Sequence, residues 1–220
     1  MKICILIISF IINSLTVTYA QSRWTFELHG GEVFNLPMPL IIRQQGYPDI
    51  KLTARYHTEA FTPPIYWDWR FSRWQNGKSW EFEAIHHKLY MDNTTSEVQK
   101  FNISHGFNII TVNRGFDKKT FQYRAGAGIV LTHPESNIRG KEFGESADES
   151  DLGYYISGPA LNLAISKPFR LGSRFYINAE AKTTLAYAHI QVAQGHADVY
   201  SFAFHILLGL GVDFIKPREE

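Results

Sequence analysis

The sequence predicts an all-β fold, an antiparallel transmembrane up-and-down β-barrel. Three features predict it: a long alternating C-terminal segment, an N-terminal secretion signal, and an aromatic-rich remainder. In residues 200–214 every even position is aromatic or aliphatic, and the odd positions are mostly small or polar. A side-chain period of two is that of a β-strand, and this run is longer than the usual strand of a soluble sheet. It suits a tilted strand with one face in lipid and the other in a polar lumen.

The N-terminal segment, residues 1–20, has the form of a secretory signal peptide. The basic residue Lys2 precedes an apolar run over 3–12, and a small residue, Ala20, stands at the cut. The apolar run is too short for a spanning helix, although an uncleaved anchor is the alternative. The chain's single cysteine, Cys4, leaves with the signal, so the mature chain offers no disulfide and no thiolate ligand.

The composition of the mature chain agrees with a barrel. Aromatic residues make up 15% of the sequence, and no apolar run after residue 20 is long enough for a spanning helix. Once Lys2 is removed, the 21 acidic residues are matched by equally many basic ones, and no basic block indicates nucleic acid. We therefore predict one domain, with a signal peptide (1–20), a barrel (21–214) and a periplasmic tail (215–220).

The same alternation, read backwards along the chain, gives the other strands. The clearest are 174–189, 120–132, 79–89 and 65–74; further candidates are 154–166, 100–113, 50–58 and 24–34, and the short stretch 39–44 is the weakest. Single-chain bacterial barrels have even strand numbers. Accepting 39–44 gives ten strands, which is the number we predict. The alternative is eight strands, with 24–49 as a plug or clamp.

The connections alternate in length, and this orients the barrel. Residues 75–78 contain the Asn-Gly signal of a hairpin, and 113–119 and 166–173 are also short. The links over 91–99, 133–153 and 190–199 are longer. Short turns face the periplasm and long loops face outside, so the last strand runs inward and ends at Phe214.

Charged residues fall on the predicted lumen face of the strands. A narrow barrel is filled by side chains, and buried charges must be paired, so we expect an ion-pair core. One alternative is a proton or ion path, and another is that a register error assigns some of these charges to the wrong face. The predicted polar core comprises Asp68, Arg70, Glu81, Glu83, Arg124, Glu180, Lys182 and His205, with Glu27, His29, Lys51 and Arg55 on the same face.

Most of the nine histidines fall at the outer ends of the predicted strands. They are His57, His86, His87, His105, His133, His189 and His196. Imidazoles at this height suit the headgroup boundary and can close loop hydrogen bonds. A zinc site is a further interpretation, but no His-x-His or His-x₃-His spacing supports it, and we predict no metal and no cofactor.

The chain resembles the small bacterial outer-membrane β-barrel proteins. The resemblance rests on the signal peptide, the absence of a mature cysteine, the aromatic-rich alternating strands, and a closing strand that is rich in glycine and ends at Phe214. It covers essentially all of residues 23–214 and implies a monomer exported to the cell outer membrane. The partners it implies are outer-membrane lipids, lipopolysaccharide among them.

We expect a structural or amphiphile-binding role, with an outer-leaflet acyl hydrolase or acyltransferase as the rival. A hydroxyl nucleophile needs a base and a carboxylate that orients it; the candidates are Ser104, His105, His133, Glu135 and Asp198. The arrangement resembles that of outer-membrane enzymes that deacylate or palmitoylate lipid A. It departs from the deacylase pattern of His-x-Ser, because Ser104 directly precedes His105 and neighbours on a regular strand face opposite ways.

The segment 142–151 holds five acidic residues, and we expect a solvated surface loop there. A divalent-cation contact with neighbouring lipopolysaccharide is the alternative. A soluble secreted β-protein remains the alternative for the fold as a whole.

Overall fold

The computed structural model describes residues 22–144 and 154–214. The predicted signal peptide, the tail over 215–220 and most of the acidic loop lie outside the described residues. The strands are β1 (Arg23–Asn35), β2 (Met38–Gln44), β3 (Ile50–Ala54), β4 (Tyr56–His57), β5 (Trp67–Gln75), β6 (Lys78–Met91), β7 (Val98–Asp117), β8 (Gln122–Thr132), β9 (Glu135–Ile138), β10 (Lys141–Phe143), β11 (Tyr155–Arg170), β12 (Phe175–Val192) and β13 (Gly195–Asp213).

No helix among the described residues is long and apolar enough to cross a membrane.

Eight antiparallel strands close into a barrel, in the order β1, β5, β6, β7, β8, β11, β12, β13 and back to β1. The closing pair runs from Thr25↔Asp213 to Asn35↔Ala203. The predicted count of ten strands is not confirmed, because β2 and β3 lie outside the wall. Of the wall strands, β2 pairs only with β13, over its first residues Gly195–Val199, and β3 pairs with β2. The alternative had the right number, but its proposed plug over 24–49 contains the wall strand β1.

The short and long connections fall at opposite ends, as predicted. The β5–β6 turn places Asn76 and Gly77 at positive φ (54° and 68°), the backbone that a two-residue hairpin turn requires. The predicted long link over 190–199 is wrong: β12 and β13 stay paired out to Val192↔Gly195 and join through two residues. The polar residues of this segment thus lie on paired strands instead of ending them.

A broad band of exposed apolar side chains surrounds the wall. It includes Leu28, Phe71, Trp80, Phe82, Val112, Tyr123, Ile129, Leu161, Leu163, Ile165, Phe175, Leu185, Phe204, Ile206, Leu208 and Leu210. Soluble monomers rarely expose contiguous apolar patches of more than a few hundred Å². A closed barrel with an apolar outer band and a polar interior is a transmembrane β-barrel, which excludes the soluble alternative.

The half of the interior nearer the short turns is a network of ion pairs, with every predicted core residue from Asp68 to His205 at most 3% exposed. Arg70 lies at its centre: its Nη2 is 2.6 Å from both Glu27 Oε2 and Glu180 Oε2, and its Nη1 is 2.8 Å from Glu83 Oε1. Arg124 donates from Nε to Glu81 at 3.0 Å. Lys182 donates to Glu83 at 2.7 Å and to Asp68.

Two cations that the sequence placed in this core lie elsewhere. Lys51 and Arg55 are exposed, because the segment 50–58 forms β3 and β4 outside the wall.

Small residues make room inside the barrel: a Cβ at Gly209 would lie 2.3 Å from the ring of His29.

The other half of the interior, nearer the long connections, is largely apolar. Buried side chains of the wall strands pack there against β2, β3 and β9, as in a soluble protein. Examples are Val33, Leu40, Leu89, Phe101 and Val199, each at most 5% exposed. The strands that extend beyond the lipid-facing band thus form, with the added strands, a cap with its own core.

Replacing Arg70 by Met should destabilise the barrel by about 3–5 kcal/mol, because Glu27, Glu83 and Glu180 would stay buried after losing the central guanidinium that all three share. Urea unfolding in a zwitterionic detergent measures this. Arg73→Met on the outer face of the same strand is the matched control, with an expected change within about 0.5 kcal/mol. Equal stability of the two variants would contradict the assigned role of Arg70.

Candidate functional site

A bulge in β7 brings Ser104 and His105 to a common carboxylate. The pairing of β7 with β6 shifts between His87↔Phe107 and Leu89↔Ile103, which leaves Ser104, His105 and Gly106 out of register. Gly106 has a φ of 144°, and a Cβ there would lie 2.5 Å from the Asn108 amide. In a bulge, neighbouring side chains are no longer held to opposite faces. The bulge therefore allows Ser104 and His105 to point to the same side, which a regular strand would prevent.

Glu135, the first residue of β9, is the carboxylate that both side chains reach. Ser104 Oγ donates to its Oε1 at 2.9 Å, and His105 Nδ1 lies 2.5 Å from the same oxygen. Lys100 Nζ lies 3.1 Å from the other oxygen, Oε2. Burial by itself would raise the pKa of Glu135, but the hydrogen bonds from Ser104 and Lys100 outweigh it and hold that pKa below its ordinary value.

This cluster differs from a catalytic triad in one respect. In a triad one imidazole nitrogen faces the hydroxyl and the other faces the carboxylate. Here the nitrogen of His105 that contacts Glu135 is also the one nearest Ser104, at 3.5 Å from Oγ. The ring of His133 lies beside that of His105, tilted by 42° with centroids 5.0 Å apart, and Tyr154 donates to the carbonyl of His105 at 2.6 Å. The arrangement holds β7, β9 and the chain at Tyr154 together.

Asp198 belongs to a second cluster, at the tip of the β12–β13 hairpin. Its carboxylate lies 2.5 Å from Arg43 Nη1, 2.8 Å from His189 Nδ1 and 2.8 Å from the Tyr187 hydroxyl. Burial raises the pKa of Asp198, and the hydrogen bonds from Arg43, His189 and Tyr187 lower it by more, so that it stays well below its usual range. The ring of His196 lies against that of His189, tilted by 39° with centroids 4.6 Å apart. The structure therefore separates Asp198 from Ser104.

The remaining histidines do not join either cluster. His57 Nδ1 lies 2.5 Å from Asp92 Oδ1, and both side chains are exposed. His86 contacts the amide of Asn108 at 2.7 Å. His87 is fully buried inside the barrel, 3.0 Å from Thr58 Oγ1, and its ring meets that of His205 edge-on. The predicted ring of imidazoles is thus divided among separate clusters and the interior.

The acidic residues of the lumen form the one described group with the spacing of a metal site. Among residues 22–144 and 154–214, Asp68, Glu83 and Glu180 alone place ligand atoms within 4.8 Å of one another. Lys182 Nζ donates to Asp68 and Glu83 and forms an ion pair with Glu180 at 3.2 Å, so an ammonium group occupies the position that a metal cation would take. No rim histidine belongs to such a group.

Arg139 is an organising residue of the cap that the sequence reasoning missed. It donates to Glu97 Oε1 at 2.7 Å and to the Pro48 carbonyl at 2.9 Å, and its guanidinium lies 4.7 Å from the Tyr47 ring centroid. It thereby joins the β2–β3, β6–β7 and β9–β10 connections. The signal in the sequence is the Arg139-Gly140 pair, which takes positive φ (54° and 70°) in a two-residue turn.

Comparisons with known proteins give likeness in structure only. No protein-family model matches the chain, and no curated protein sequence is significantly similar. The outer membrane protein AlkL is 11% identical, with a TM-score of 0.49 over 93% of this chain and 95% of that one. OprG from Pseudomonas aeruginosa is 14% identical, with a TM-score of 0.45 over 88% and 94%.

The attachment invasion locus protein Ail of Yersinia pestis is 9% identical, with a TM-score of 0.41 over 89% of this chain and 99% of that one. All three are small bacterial outer-membrane β-barrel proteins, the class that the sequence resembles. At this identity and TM-score, the likeness carries no argument about what the chain does.

Acid should loosen the tip of the β12–β13 hairpin. The pKa of Asp198 is lowered in the folded chain, so its contacts stabilise the cap fully above the ordinary carboxyl pKa of about 4. That stabilisation is lost as the pH falls through the lowered value. Hydrogen exchange, corrected for the intrinsic rate at each pH, should show faster exchange at the tip under acid.

The Asp198→Asn variant should show this faster exchange at neutral pH already. Asp92→Asn, in the separate His57 pair, is the matched control and should leave the tip unchanged. A tip that exchanges equally slowly in Asp198→Asn and in the unmodified chain would contradict the role of the carboxylate.

Proposed function

We propose that the chain is an integral outer-membrane β-barrel protein with a structural or amphiphile-binding role and a His-rich extracellular rim. The observation that carries the proposal is the closed eight-stranded wall, whose outer face is apolar while its interior is filled. A cleaved signal peptide would export it, and short turns facing the periplasm would leave both ends of the barrel chain on that side.

The filled interior favours a surface role over transport. Ion pairs occupy the periplasmic half and packed apolar side chains the outer half. Displacing an ion of either sign from this network would leave buried charges unpaired, which is costly. The surfaces that remain for function are the lipid-facing wall and the cap.

The wall offers a place for an amphiphile. A groove of about 550 Å³ runs over β8, β11, β12 and β13, lined by Tyr123, Ala125, Leu163, Ile165, Ala181 and Phe204. An apolar groove inside the lipid-facing band suits an acyl chain, with lipopolysaccharide as a source in the outer leaflet.

The refolded mature chain should insert into lipid vesicles and leave them impermeable to small sugars and ions. Insertion is scored by protease protection and by heat-dependent gel mobility, and permeability by vesicle swelling. Arg70→Ala, which disrupts the ion-pair core, is the comparison that should raise permeability if the barrel still folds. A mature chain that stays soluble without detergent would contradict the membrane proposal. Vesicles that swell would contradict the proposal that the barrel is sealed.

The second candidate function is an outer-leaflet acyl hydrolase or acyltransferase. It is favoured by the convergence of Ser104, His105 and Glu135, with His133 beside them. The reaction would need His105 or His133 to present a nitrogen to Ser104 Oγ that does not already face the carboxylate. Asp198 has no part in this version.

Mass spectrometry of lipid A tests the enzyme directly. If the cluster is catalytic, deletion of the gene changes lipid A acylation, and Ser104→Ala, His105→Ala and His133→Ala reproduce that change. Asp198→Ala is the control, because its cluster is separate and acylation should stay normal. Unchanged lipid A on deletion would remove this candidate and leave the structural or amphiphile-binding role.

A further inference from the structure

Two arginines and two tryptophans form a continuous row across four neighbouring wall strands. The register pairs Trp24 of β1 with Arg73 of β5, Arg73 with Trp80 of β6, and Trp80 with Arg114 of β7. The Arg73 guanidinium lies 5.5 Å from the Trp24 ring centroid, and that of Arg114 lies 5.0 Å from the Trp80 ring. We call these four residues the Trp-Arg row.

The row lies on the outer face, near the short-turn ends of its strands. Arg73 and Trp80 are exposed, and Trp24 and Arg114 are half-buried. Phe71 and Phe82, the next outward residues on β5 and β6, are exposed members of the apolar band. The row therefore marks the level at which the band gives way to the polar boundary.

The two guanidinium groups have no carboxylate partner among the described residues. Within those residues, no Asp or Glu oxygen comes within 4.0 Å of either one, and Arg114 donates to the Ser79 carbonyl at 3.2 Å. Every buried arginine of the lumen, by contrast, is matched by carboxylates. Because these two positive charges lie on the lipid-facing wall, an anion that balances them has to come from outside the protein.

The chemistry of that anion follows from the two side-chain types. A guanidinium presents a planar fork of donors that fits phosphate oxygens, and tryptophan favours the headgroup level of a membrane. Adjacent strands lie about 4.8 Å apart, so the two arginines stand roughly 10 Å apart across the wall. At that separation each arginine would take its own phosphate.

We propose that the Trp-Arg row is a binding site for anionic glycerophospholipids of the inner leaflet, with the phosphates on Arg73 and Arg114. Lys167, near the short-turn end of β11, repeats the pairing of a cation with aromatic rings, since its ammonium lies 5.2 Å from the Phe169 ring and 5.8 Å from the Phe121 ring. The inference rests on the proposed membrane function and orientation. It adds a leaflet, a headgroup charge and two binding residues to them.

Native mass spectrometry of the refolded mature chain, released from detergent micelles, measures the affinity for added phospholipid. Phosphatidylglycerol and phosphatidylcholine are titrated separately at low ionic strength. The unmodified chain should bind phosphatidylglycerol more tightly. A basic residue at a membrane surface contributes about 1 kcal/mol, so Arg73→Gln or Arg114→Gln should weaken this binding about fivefold and the double variant about thirtyfold.

Lys51→Gln, at an exposed cation of the extracellular cap, is the matched control and should bind as the unmodified chain does. Arg73→Lys with Arg114→Lys keeps the charge and should retain most of the preference. Equal binding of the two lipids, or an unaltered preference in the double Gln variant, would overturn the site. A chain that fails to insert into vesicles overturns the proposed function instead, so the two failures are distinguishable.

Discussion

Each long wall strand must satisfy lipid along one part of its length and water along the rest, and the structure is organised around this constraint. On β13 the side chains of Phe204 and Leu208 face outward and are exposed, whereas Val199 and Ala197 face inward and are fully buried. The apolar face thus changes sides near Tyr200. The same change occurs on β12, where Leu185 is exposed and Ile190 is buried. Because the strand period is two throughout, the change needs no break in the backbone.

The change of face explains why the interior has two parts. Where the outside is lipid, the inward positions are polar and the ion pairs around Arg70 fill the space. Where the outside is water, the inward positions are apolar and pack against β2, β3 and β9. The cap is therefore continuous with the wall and has a core of its own. Arg139 and the clusters at Glu135 and Asp198 then join its connections at the surface.

The sequence alone predicted the parts of the fold in which polar residues face the interior and apolar residues face lipid. The barrel class, the wall strands and the inward charges followed from polar residues facing apolar ones on strands surrounded by lipid. Prediction failed in the cap, where the apolar side chains face inward. Residues 190–199 resembled a loop but belong to β12, β13 and the turn between them, and 39–44 resembled a wall strand but form part of β2, outside the wall. It also could not place Ser104 beside His105, because a bulge depends on pairing with β6. Nor could it separate Asp198 from Glu135, since tertiary pairing decides which loops meet.

Arg70 and Arg73 show how position, more than residue type, decides what a charge does in this molecule. They lie on one strand, three residues apart, and an odd separation places them on opposite faces of the wall. Arg70 meets the carboxylates of Glu27, Glu83 and Glu180 inside the barrel. Arg73 has no such partner among the described residues, and its guanidinium lies over Trp24 on the lipid side. The inner charge is thus satisfied by the fold itself, whereas the outer one depends on the membrane to supply its anion.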